Sequence, residues 1–517
     1  MKNGLSSNFV LNKNYIPLND IILLVSKNIK IELSSSLEKE IQDSFSFLEI
    51  YSKNRIVYGV NTGFGPMAQY KIDKEKQKEL QYNLIRSHAS GMGSAVEPNY
   101  CKAILLDRII TFSKCKSGVH IDLVKLQIDL FNQEIYPVVY EHGGVGASGD
   151  LVQLAHFALV MIGEGKCWYK NEIIETTTLF ATLGIRPFEI QLREGLALIN
   201  GTSGMTGLSI INIIQAHHLI QLSIKAGAFL NELMGSSNEY FSDELNNVKN
   251  HFGQNKVASL IQEYTSDSKL MNNYHDDIID IHSNEIKFTE KVQGYYSLRC
   301  LPQIIGPILD TLEYTKTIVE REFNAVSDNP IIDIDKERVY HGGNFHGDYI
   351  SLENDKLKIA ITKLSLLLDR QLNYLLNDSL NEKLPPFLNK GILGLNFGMQ
   401  GIQYPSTSTV AENQMLSNPL FVHSISSNKD NQDIVSMGFN AASICKKVID
   451  NTFQVLSIQL VALCEATEIL GVNEKLSKSS KDIYTRVRIH VPSIETDVSI
   501  SNSLFILHQS LIKLNGE

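Results

Sequence analysis

One segment, HGGVGASGD at residues 142–150, combines four glycines with residue types that can do chemistry. It lies between a strand-like run and a helical run. Gly144, Gly146 and Gly149 match the G-x-G-x-x-G pattern of dinucleotide-binding loops, which would indicate a nicotinamide-dependent dehydrogenase. That interpretation needs repeated strand–helix–strand units on either side, and the helical character of the chain does not provide them.

The tripeptide Ala147-Ser148-Gly149 allows a second chemistry. In a tight turn the Gly149 nitrogen can attack the Ala147 carbonyl carbon. Loss of two waters, one of them from the Ser148 side chain, then leaves an electrophilic methylidene-imidazolone ring. A third interpretation is structural, because Ser148 and Asp150 are also suited to capping the helix that follows. The segment alone leaves all three interpretations open.

A second glycine-rich segment, YGVNTGFGP at 58–66, predicts a non-helical loop, because three glycines and a proline fall within eight residues. Such loops often hold functional groups on a rigid scaffold. Tyr58 at its head is either a packing residue or an acid–base group.

Other residues of suitable chemistry are scattered along the chain: Asn200, Tyr296, Arg299, Asn344, Phe345, Gln403, Glu412 and the amide-rich run 428–433. Arg299 suits a bidentate grip on a carboxylate, although a single arginine is more often a structural ion-pair partner. The histidines and aspartates of 275–282, and the pair His341 and His346, match no closed zinc spacing, so we predict no metal site.

Long helices must position these residues. An apolar stripe recurs every three or four residues, which predicts one face of a helix about five turns long; it consists of Leu357, Ile361, Leu364, Leu368, Leu372 and Leu375. Similar patterns predict helices near 207–234, 305–324 and 437–471, and short strand-like runs occupy 55–60, 136–140 and 331–334. We expect a mainly α fold, with a long-helix bundle core and a mixed N-terminal portion that carries the glycine-rich active-site loops. The predicted domains are 1–205, with the 142–150 segment, and the helical bundle 206–517.

Composition excludes several classes of protein. The 517 residues carry 47 Lys and Arg against 57 Asp and Glu, and the net charge of −10 argues against a nucleic-acid partner. The six cysteines have no CxxC spacing, so we expect reduced and mostly buried thiols. Without a signal-peptide pattern or 18 uninterrupted apolar residues, the sequence predicts a cytoplasmic protein that does not bind a membrane.

Six blocks together resemble the aromatic amino acid ammonia-lyases and aminomutases, the family that includes histidine, phenylalanine and tyrosine ammonia-lyases. In chain order the blocks are YGVNTGFG, GGVGASGDLVQLAH, REGLALINGTSGMTG, YYSLR, HGGNFHG and SNKDNQDIVSMG. The resemblance covers about Tyr58 to Gly471, most of the chain. It implies a histidine ammonia-lyase-like fold and a carbon–nitrogen lyase.

The resemblance implies that Ala147, Ser148 and Gly149 fuse autocatalytically into the methylidene-imidazolone group called MIO. No external cofactor is then needed. Tyr58 would remove the β-proton of an aromatic L-amino acid, and Arg299 would hold its carboxylate. Such a carboxylate grip orients the β-carbon toward the base. The remaining substrate-site residues implied are Asn200, Tyr296, Phe345, Glu412, Asn431 and Gln432.

The family also implies a homotetramer whose active sites combine residues of three subunits. That assembly fits the surplus of apolar helix faces, which would be unusual if exposed in a monomer.

The residues expected to face the substrate ring are Ser87 and His88. This pair occurs in histidine ammonia-lyases and also in some tyrosine-acting enzymes, where the histidine can bind the phenol hydroxyl. The blocks NGTS and NQDIVSM look like the tyrosine-acting branch. We therefore expect tyrosine ammonia-lyase activity yielding 4-coumarate by anti-β-elimination. The alternatives are histidine ammonia-lyase, which forms urocanate, tyrosine 2,3-aminomutase, and a non-catalytic scaffold.

The chain departs from the family pattern at Val326-Ser327, Ser426-Ser427 and Lys429. None of these positions has an implied role in the chemistry. We expect the loop around 426–430 to affect fine substrate preference only.

Overall fold

The computed structural model of the chain describes residues 8–272 and 293–513 and is mainly helical, as predicted. Its α-helices are α1 (Leu18–Ser26), α2 (Ser35–Ser52), α3 (Gln77–His88), α4 (Pro98–Ser113), α5 (Ile121–Asn132), α6 (Leu151–Met161), α7 (Thr176–Leu183), α8 (Glu194–Ile199), α9 (Ser203–Met234), α10 (Asp243–Asn247), α11 (Phe252–Thr265), α12 (Tyr296–Arg299), α13 (Leu301–Phe323), α14 (Asp348–Leu376), α15 (Asp378–Asn381), α16 (Gln400–Leu416), α17 (Gly438–Leu470), α18 (Lys478–His490) and α19 (Ser501–Ile512). The long helices predicted from periodicity correspond to α9, α13, α14 and α17, which have 23 to 33 residues.

The apolar stripe of α14 shows why these helices form. All six of its predicted core positions, from Leu357 to Leu375, are completely buried. The helix α17 is apolar on most faces because it lies inside the protein. By length and composition it is the one helix among the described residues that could cross a membrane, yet most of its apolar stretch is buried.

The strands of the described residues are short: β1 (Asn8–Leu11), β2 (Lys30–Leu33), β3 (Met92–Ala95), β4 (Tyr136–Pro137), β5 (Tyr140–His142), β6 (Lys166–Tyr169), β7 (Glu172–Glu175), β8 (Ile331–Asp333) and β9 (Arg338–Tyr340). They form four small sheets, and only β1 and β2 pair in parallel. The 142–150 segment follows β5, which pairs antiparallel with β3. This part of the chain therefore lacks the strand–helix–strand units that a dinucleotide-binding loop requires, and the fold gives the dehydrogenase hypothesis no support.

The strand predicted at 55–60 is wrong. The Val57 carbonyl accepts hydrogen bonds from the N–H groups of Val60 and Asn61, at 3.1 and 3.3 Å, which closes a turn. Both valines are buried in a small cluster with Leu48 and Ile332. The apolar spacing that resembled a strand therefore reflects one buried side of a turn.

The chain divides into two compact units, each built from three segments. The first unit comprises 1–214, 315–355 and 419–445, and the second comprises 215–314, 356–418 and 446–517. All strands described above belong to the first unit; seven of the nine lie within residues 1–205, whereas β8 and β9 lie outside the predicted mixed N-terminal portion. The division into contiguous domains at 205/206 stays a prediction.

All six cysteines are free, and five of them are buried, as predicted. Burial raises the pKa of Cys101 to about 12 and that of Cys167 to about 11. These thiols therefore stay protonated and unreactive at neutral pH.

A cluster of charges in the second unit ties α17 to α18. The Lys390 ammonium lies 2.9 Å from Glu465 and 2.7 Å from Glu468, and the Arg488 guanidinium lies 2.9 and 2.8 Å from the same two carboxylates. Burial disfavours the ionised form of Glu468, yet hydrogen bonds from Lys390, Ser493 and Tyr484 overcome this and lower its pKa to about 2.

This network predicts a loss of stability in acid. A carboxyl whose pKa is lower in the folded than in the unfolded chain stabilises the fold above the unfolded value, and that stabilisation is lost as the pH falls. For Glu468 the window runs from about 4.5 down to about 2, which is worth about 3 kcal/mol before partial solvent exposure reduces it to roughly 2. We expect Glu468→Gln to lower the thermal midpoint at pH 7 and to flatten its acid dependence.

Thermal unfolding followed by circular dichroism between pH 7 and pH 2.5 measures this effect. Glu474→Gln is the matched control, because Glu474 is also a paired glutamate, but its side chain is 95% exposed. Equal acid dependence in wild type and Glu468→Gln would contradict the prediction.

Candidate active site

The Ala147-Ser148-Gly149 turn is held against the segment that contains Asn200. The Asp150 N–H donates to the Gly201 carbonyl at 2.8 Å, and the Gly201 N–H donates to the Ser148 carbonyl at 3.4 Å. Gly149 has φ +71°, and a Cβ atom there would lie 1.8 Å from the Gly201 oxygen. Only glycine fits this position, because both the left-handed backbone and the close approach exclude a side chain.

Two predicted site residues contact Ser148. The Gln432 Nε2 donates to the Ser148 hydroxyl at 3.1 Å, and the Asn200 Nδ2 donates to the Ser148 carbonyl at 3.4 Å. Asn200 is buried, and its Oδ1 has no hydrogen-bond partner among the described residues. A buried acceptor without a partner beside the turn is suited to a donor group from a ligand.

The 427–432 loop aims Gln432 at the turn. Ser427 and Gln432 bind each other through their backbones and side chains. Between them, Asn428, Lys429 and Asp430 all adopt positive φ, from +54° to +58°, so the loop reverses tightly without a glycine. The predicted site residue Asn431 lies on the same loop, and its side chain is exposed.

The other side of the turn is also clamped. The Ser436 hydroxyl donates to the Gly146 carbonyl at 2.9 Å, and the Met437 N–H donates to the Val145 carbonyl at 3.0 Å. Ser436 also lies against Gly347, two residues beyond the half-buried Phe345. The predicted role of Phe345 beside the turn stays a prediction.

Asp150 does not cap the helix that follows it. Although it occupies the N-cap position of α6, its side chain makes no capping hydrogen bond there. Its Oδ2 instead accepts the Met205 N–H at 2.7 Å, in the first turn of α9. Burial raises the pKa of Asp150 to about 7, while the Met205 and Gly204 N–H groups favour its ionised form. The interpretation in which Ser148 and Asp150 cap the following helix is therefore wrong. Asp150 binds the first turn of α9, and Ser148 binds Gln432.

Charged side chains hold the segment at 200–202 in place through hydrogen bonds. The Arg108 Nη1 donates to the carbonyls of Ala197 and Asn200, at 3.0 and 3.1 Å. Thr202 donates through its N–H to the Ser327 hydroxyl and through its hydroxyl to Glu322, at 3.2 and 2.6 Å. Ser327, a departure from the family pattern, therefore has a supporting role.

The Tyr58 loop is closed on itself. The Gly65 N–H donates to the Tyr58 hydroxyl oxygen at 3.2 Å, and the Phe64 ring meets the Tyr58 ring edge-on at 6.0 Å. This hydrogen bond fixes the position of the phenol oxygen at the head of the loop. The Tyr58 N–H donates to the His341 Nε2 at 3.3 Å, so His341 holds the loop. Gly65 approaches Asn428, which brings the Tyr58 loop beside the loop of Gln432.

Ser87 and His88 end helix α3. The His88 Nδ1 lies 2.9 Å from the Leu84 carbonyl and 3.0 Å from the Ser87 hydroxyl. A carbonyl only accepts, so Nδ1 carries the proton in the neutral ring and Nε2 is an acceptor. The ring can therefore take a hydrogen bond from a hydroxyl or N–H group.

The second unit contains three predicted site residues, Tyr296, Arg299 and Glu412. Arg299 and Tyr296 line a cavity of about 650 Å³ together with Arg370 and Asn373. The Arg299 Nε donates to the Gly294 carbonyl at 3.0 Å, and its guanidinium lies 4.9 Å from the centre of the Tyr296 ring. This anchoring fixes a cation at the cavity wall, where it can bind an anion.

The Gln403 Nε2 donates to Asn373 at 3.1 Å, so this glutamine contacts one of the residues that line the cavity. Glu412 lies on α16, where its Oε2 accepts the Asn451 amide at 2.6 Å. The acid is therefore held in one orientation by a buried partner.

The structure thus joins Ser148, Gly149, Asn200 and Gln432 in one cluster, with the Tyr58 loop next to it. The sequence analysis missed Ser436 and Asp150 as supporting residues, and it considered His341 only as a metal ligand. No group of three or more metal-ligating side chains occurs within 8–272 and 293–513. The histidines and aspartates of 275–282 lie outside the described residues.

Comparison with known proteins defines the class. The family model described as aromatic amino acid lyase matches residues 16–489, so the chain belongs to that family. It is 38% identical to a tyrosine 2,3-aminomutase of Chondromyces crocatus over 86% of this chain and 85% of the relative. It is 36% identical to a tyrosine ammonia-lyase of Cupriavidus metallidurans, over 87% of this chain and 86% of the relative.

The fold agrees with that assignment. The crystal structure of histidine ammonia-lyase from Trypanosoma cruzi superposes with a TM-score of 0.86 and 28% identity, covering 98% of this chain and 93% of that one. The predicted family, the histidine ammonia-lyase-like fold and the carbon–nitrogen lyase class are therefore confirmed.

The close approach at Gly149 leads to a test. In Gly149→Ala the methyl group would overlap the Gly201 oxygen, and the left-handed backbone adds its own penalty, so we expect a loss of at least about 3 kcal/mol. The thermal midpoint measures the change. Gly401→Ala is the control, because Gly401 lies in helix α16 with nothing within 4 Å of an added Cβ. A Gly149→Ala protein as stable as the control would show that the turn differs from this description.

Proposed function

We propose that this enzyme is a tyrosine ammonia-lyase that eliminates ammonia and the β-proton in anti geometry, releasing 4-coumarate. The observation that carries the proposal is the Ala147-Ser148-Gly149 turn, with glycine-only geometry at Gly149 and a fixed hydroxyl at Ser148. The 36–38% identity to tyrosine-acting relatives supports the choice of substrate.

The residues of the turn fit the MIO group. The Asp150 N–H is bound to Gly201, whereas the Gly149 N–H donates to no group in the described part of the chain, so its nitrogen is available for ring closure. Ala147 is small and buried. Gln432 and Asn200 hold the serine that must lose its hydroxyl. When formed, the group supplies an electrophile for the substrate amine, which makes ammonia a better leaving group.

The other steps belong to side chains of the chain itself. Arg299 binds the carboxylate, which fixes the β-carbon and removes orientational freedom. Tyr58 takes the β-proton, and the Gly65 N–H holds its phenol oxygen in place. The unpartnered Oδ1 of Asn200 accepts an N–H of the amine. Phe345 and Tyr296 flank the substrate, while Glu412 and Asn431 act on the amine side, as the family resemblance implies.

His88 supports tyrosine over phenylalanine. Its Nε2 acceptor can bind the phenol hydroxyl, and a half-buried acceptor left unpaired by phenylalanine costs binding energy. The N–H of a substrate imidazole could satisfy the same acceptor, so histidine is the competing substrate.

Turnover with tyrosine, histidine and phenylalanine, each alone, tests the proposal by ultraviolet absorbance of the conjugated acid. Coumarate from tyrosine with little cinnamate is the expected result. Urocanate from histidine alone would overturn the choice of substrate but not the chemistry.

A tyrosine 2,3-aminomutase is the second candidate, because a relative so named is 38% identical over most of the chain. Both activities use the same elimination, and the mutase then returns ammonia to the β-carbon. Chromatography of the tyrosine reaction distinguishes them, since β-tyrosine in excess of coumarate identifies the mutase.

Two variants distinguish formation of the MIO group from the catalysis that depends on it. Ser148→Ala removes the leaving hydroxyl, so we expect no turnover and no loss of two waters in the intact mass. Tyr58→Phe removes the base, so turnover should fall by at least about a thousandfold while the mass loss persists. Substantial activity in Ser148→Ala would refute the proposed chemistry.

We also propose that the enzyme is a cytoplasmic homotetramer with active sites shared between subunits. Exposed apolar side chains such as Leu393, Leu395 and Phe397 support an extensive interface. If active sites are shared between subunits, co-expression of Ser148→Ala with Arg299→Ala should restore activity that neither variant has alone. Failure of mixed oligomers to regain activity would place all site residues in one subunit.

The role of His88 predicts a change in specificity. His88→Phe removes the acceptor and adds an apolar ring, so the preference for tyrosine over phenylalanine, as a ratio of kcat/KM, should fall by at least about a hundredfold. Kinetics with both substrates measures the ratio. Ser90→Ala is a control on the same segment, because the exposed Ser90 has no predicted contact with substrate. An unchanged ratio in His88→Phe would contradict phenol recognition by this residue.

A further inference from the structure

Gln81 lies at the meeting point of three elements that carry predicted site residues. Its side chain is completely buried on helix α3, the helix that ends at Ser87 and His88. Its Nε2 donates to the Gly59 carbonyl at 2.9 Å, directly after Tyr58. Its Oε1 accepts the Leu196 N–H at 2.9 Å, in α8, which ends just before Asn200.

The two partners determine which way the amide points. The Gly59 carbonyl can only accept, so it requires the NH₂ end, and the Leu196 N–H can only donate, so it requires the oxygen. Both bonds have favourable length and lie in a site without solvent, where an unmade bond is costly. No other neutral side chain of this shape offers a donor and an acceptor at these two places.

The surrounding backbone is packed too closely for Gln81 and its partners to rearrange. A Cβ on Gly195 would lie 2.8 Å from both the backbone oxygen and the Oε1 of Gln81. A Cβ on Gly59 would lie 2.1 Å from the Leu196 side chain. Helix α3 also packs against α6, which follows the Ala147-Ser148-Gly149 turn. Glycines at both contact points let the three elements approach closely enough for one amide to bridge them.

We propose that Gln81 is a positioning residue that sets the Tyr58 loop relative to Asn200 and to the Ser87-His88 end of α3. The inference rests on the proposed function, because it assumes that Tyr58 is the base. Gln81 itself touches neither substrate nor the turn. Its effect on the reaction is therefore indirect and should appear in proton removal, not in substrate binding.

The tests use two variants of matched shape. Gln81→Met keeps the volume and removes both hydrogen bonds. Gln81→Glu keeps the acceptor for Leu196, and its second oxygen can donate to Gly59 only when the carboxyl is protonated. Gln127→Met is the control, because Gln127 is an equally buried glutamine of the same unit whose amide atoms have no hydrogen-bond partner within the described chain.

For Gln81→Met we expect kcat on tyrosine to fall at least tenfold, with KM within about threefold of wild type and the two-water mass loss intact. A larger primary isotope effect with β-deuterated tyrosine should accompany the fall, since proton removal becomes slower. For Gln81→Glu we expect kcat relative to wild type to decline as the pH rises through the titration of the new carboxyl. Gln81→Met should show no such slope.

A measurement without turnover keeps the inference separate from the proposed function. Hydrogen exchange of the amides at 58–65 should be faster in Gln81→Met than in wild type and unchanged in Gln127→Met. Wild-type exchange together with wild-type kcat in Gln81→Met would overturn the inference, as would a kcat loss explained entirely by incomplete ring formation. If wild type itself releases no product from any aromatic amino acid, the proposed function fails, and the exchange result alone decides the role of Gln81.

Discussion

The backbone ladder between residues 148–150 and 200–202 is the contact on which the candidate site depends. Through it the Gly201 carbonyl comes so close to Gly149 that only glycine fits, and the turn is held in one conformation. Here the ladder, the Ser436 clamp and the Gln432 hydrogen bond hold the turn from three directions.

Buried charged side chains hold the residues of this ladder in place. Arg108 holds the carbonyls of Ala197 and Asn200, and Asp150 binds the first turn of α9. Burial raises the pKa of both Asp107 and Asp150 to about 7, which means that ionised carboxylates are disfavoured there. Such groups are costly in a protein interior unless they are hydrogen-bonded. Their presence near the turn is explained if they fix the geometry of the turn instead of increasing the stability of the fold.

The residues proposed to contact the substrate ring, Ser87 and His88, lie at the end of α3 and not in this ladder. The loop at 427–432, by contrast, contacts the turn itself through the hydrogen bond from Gln432 to Ser148. Relatives of this chain are named for tyrosine 2,3-aminomutase and tyrosine ammonia-lyase activities. The Leu84 carbonyl fixes the orientation of the His88 ring, on which the proposed recognition of a phenol hydroxyl depends.

The sequence by itself determined the long helices, because their apolar residues follow the 3.6-residue period and a buried stripe such as that of α14 needs no knowledge of its partners. It also supplied the residue types that the proposed ring requires at Ala147-Ser148-Gly149, since small size, a leaving hydroxyl and a glycine nitrogen are properties of residue types, but it left the helix-capping and dinucleotide-binding interpretations open. Tertiary structure decided which distant groups meet. Asp150 binds α9 instead of α6, residues 55–60 form a turn instead of a strand, and Gln81 joins partners 22 and 115 residues away. Hydrogen bonds between segments so far apart depend on how helices pack, and local periodicity carries no record of that packing.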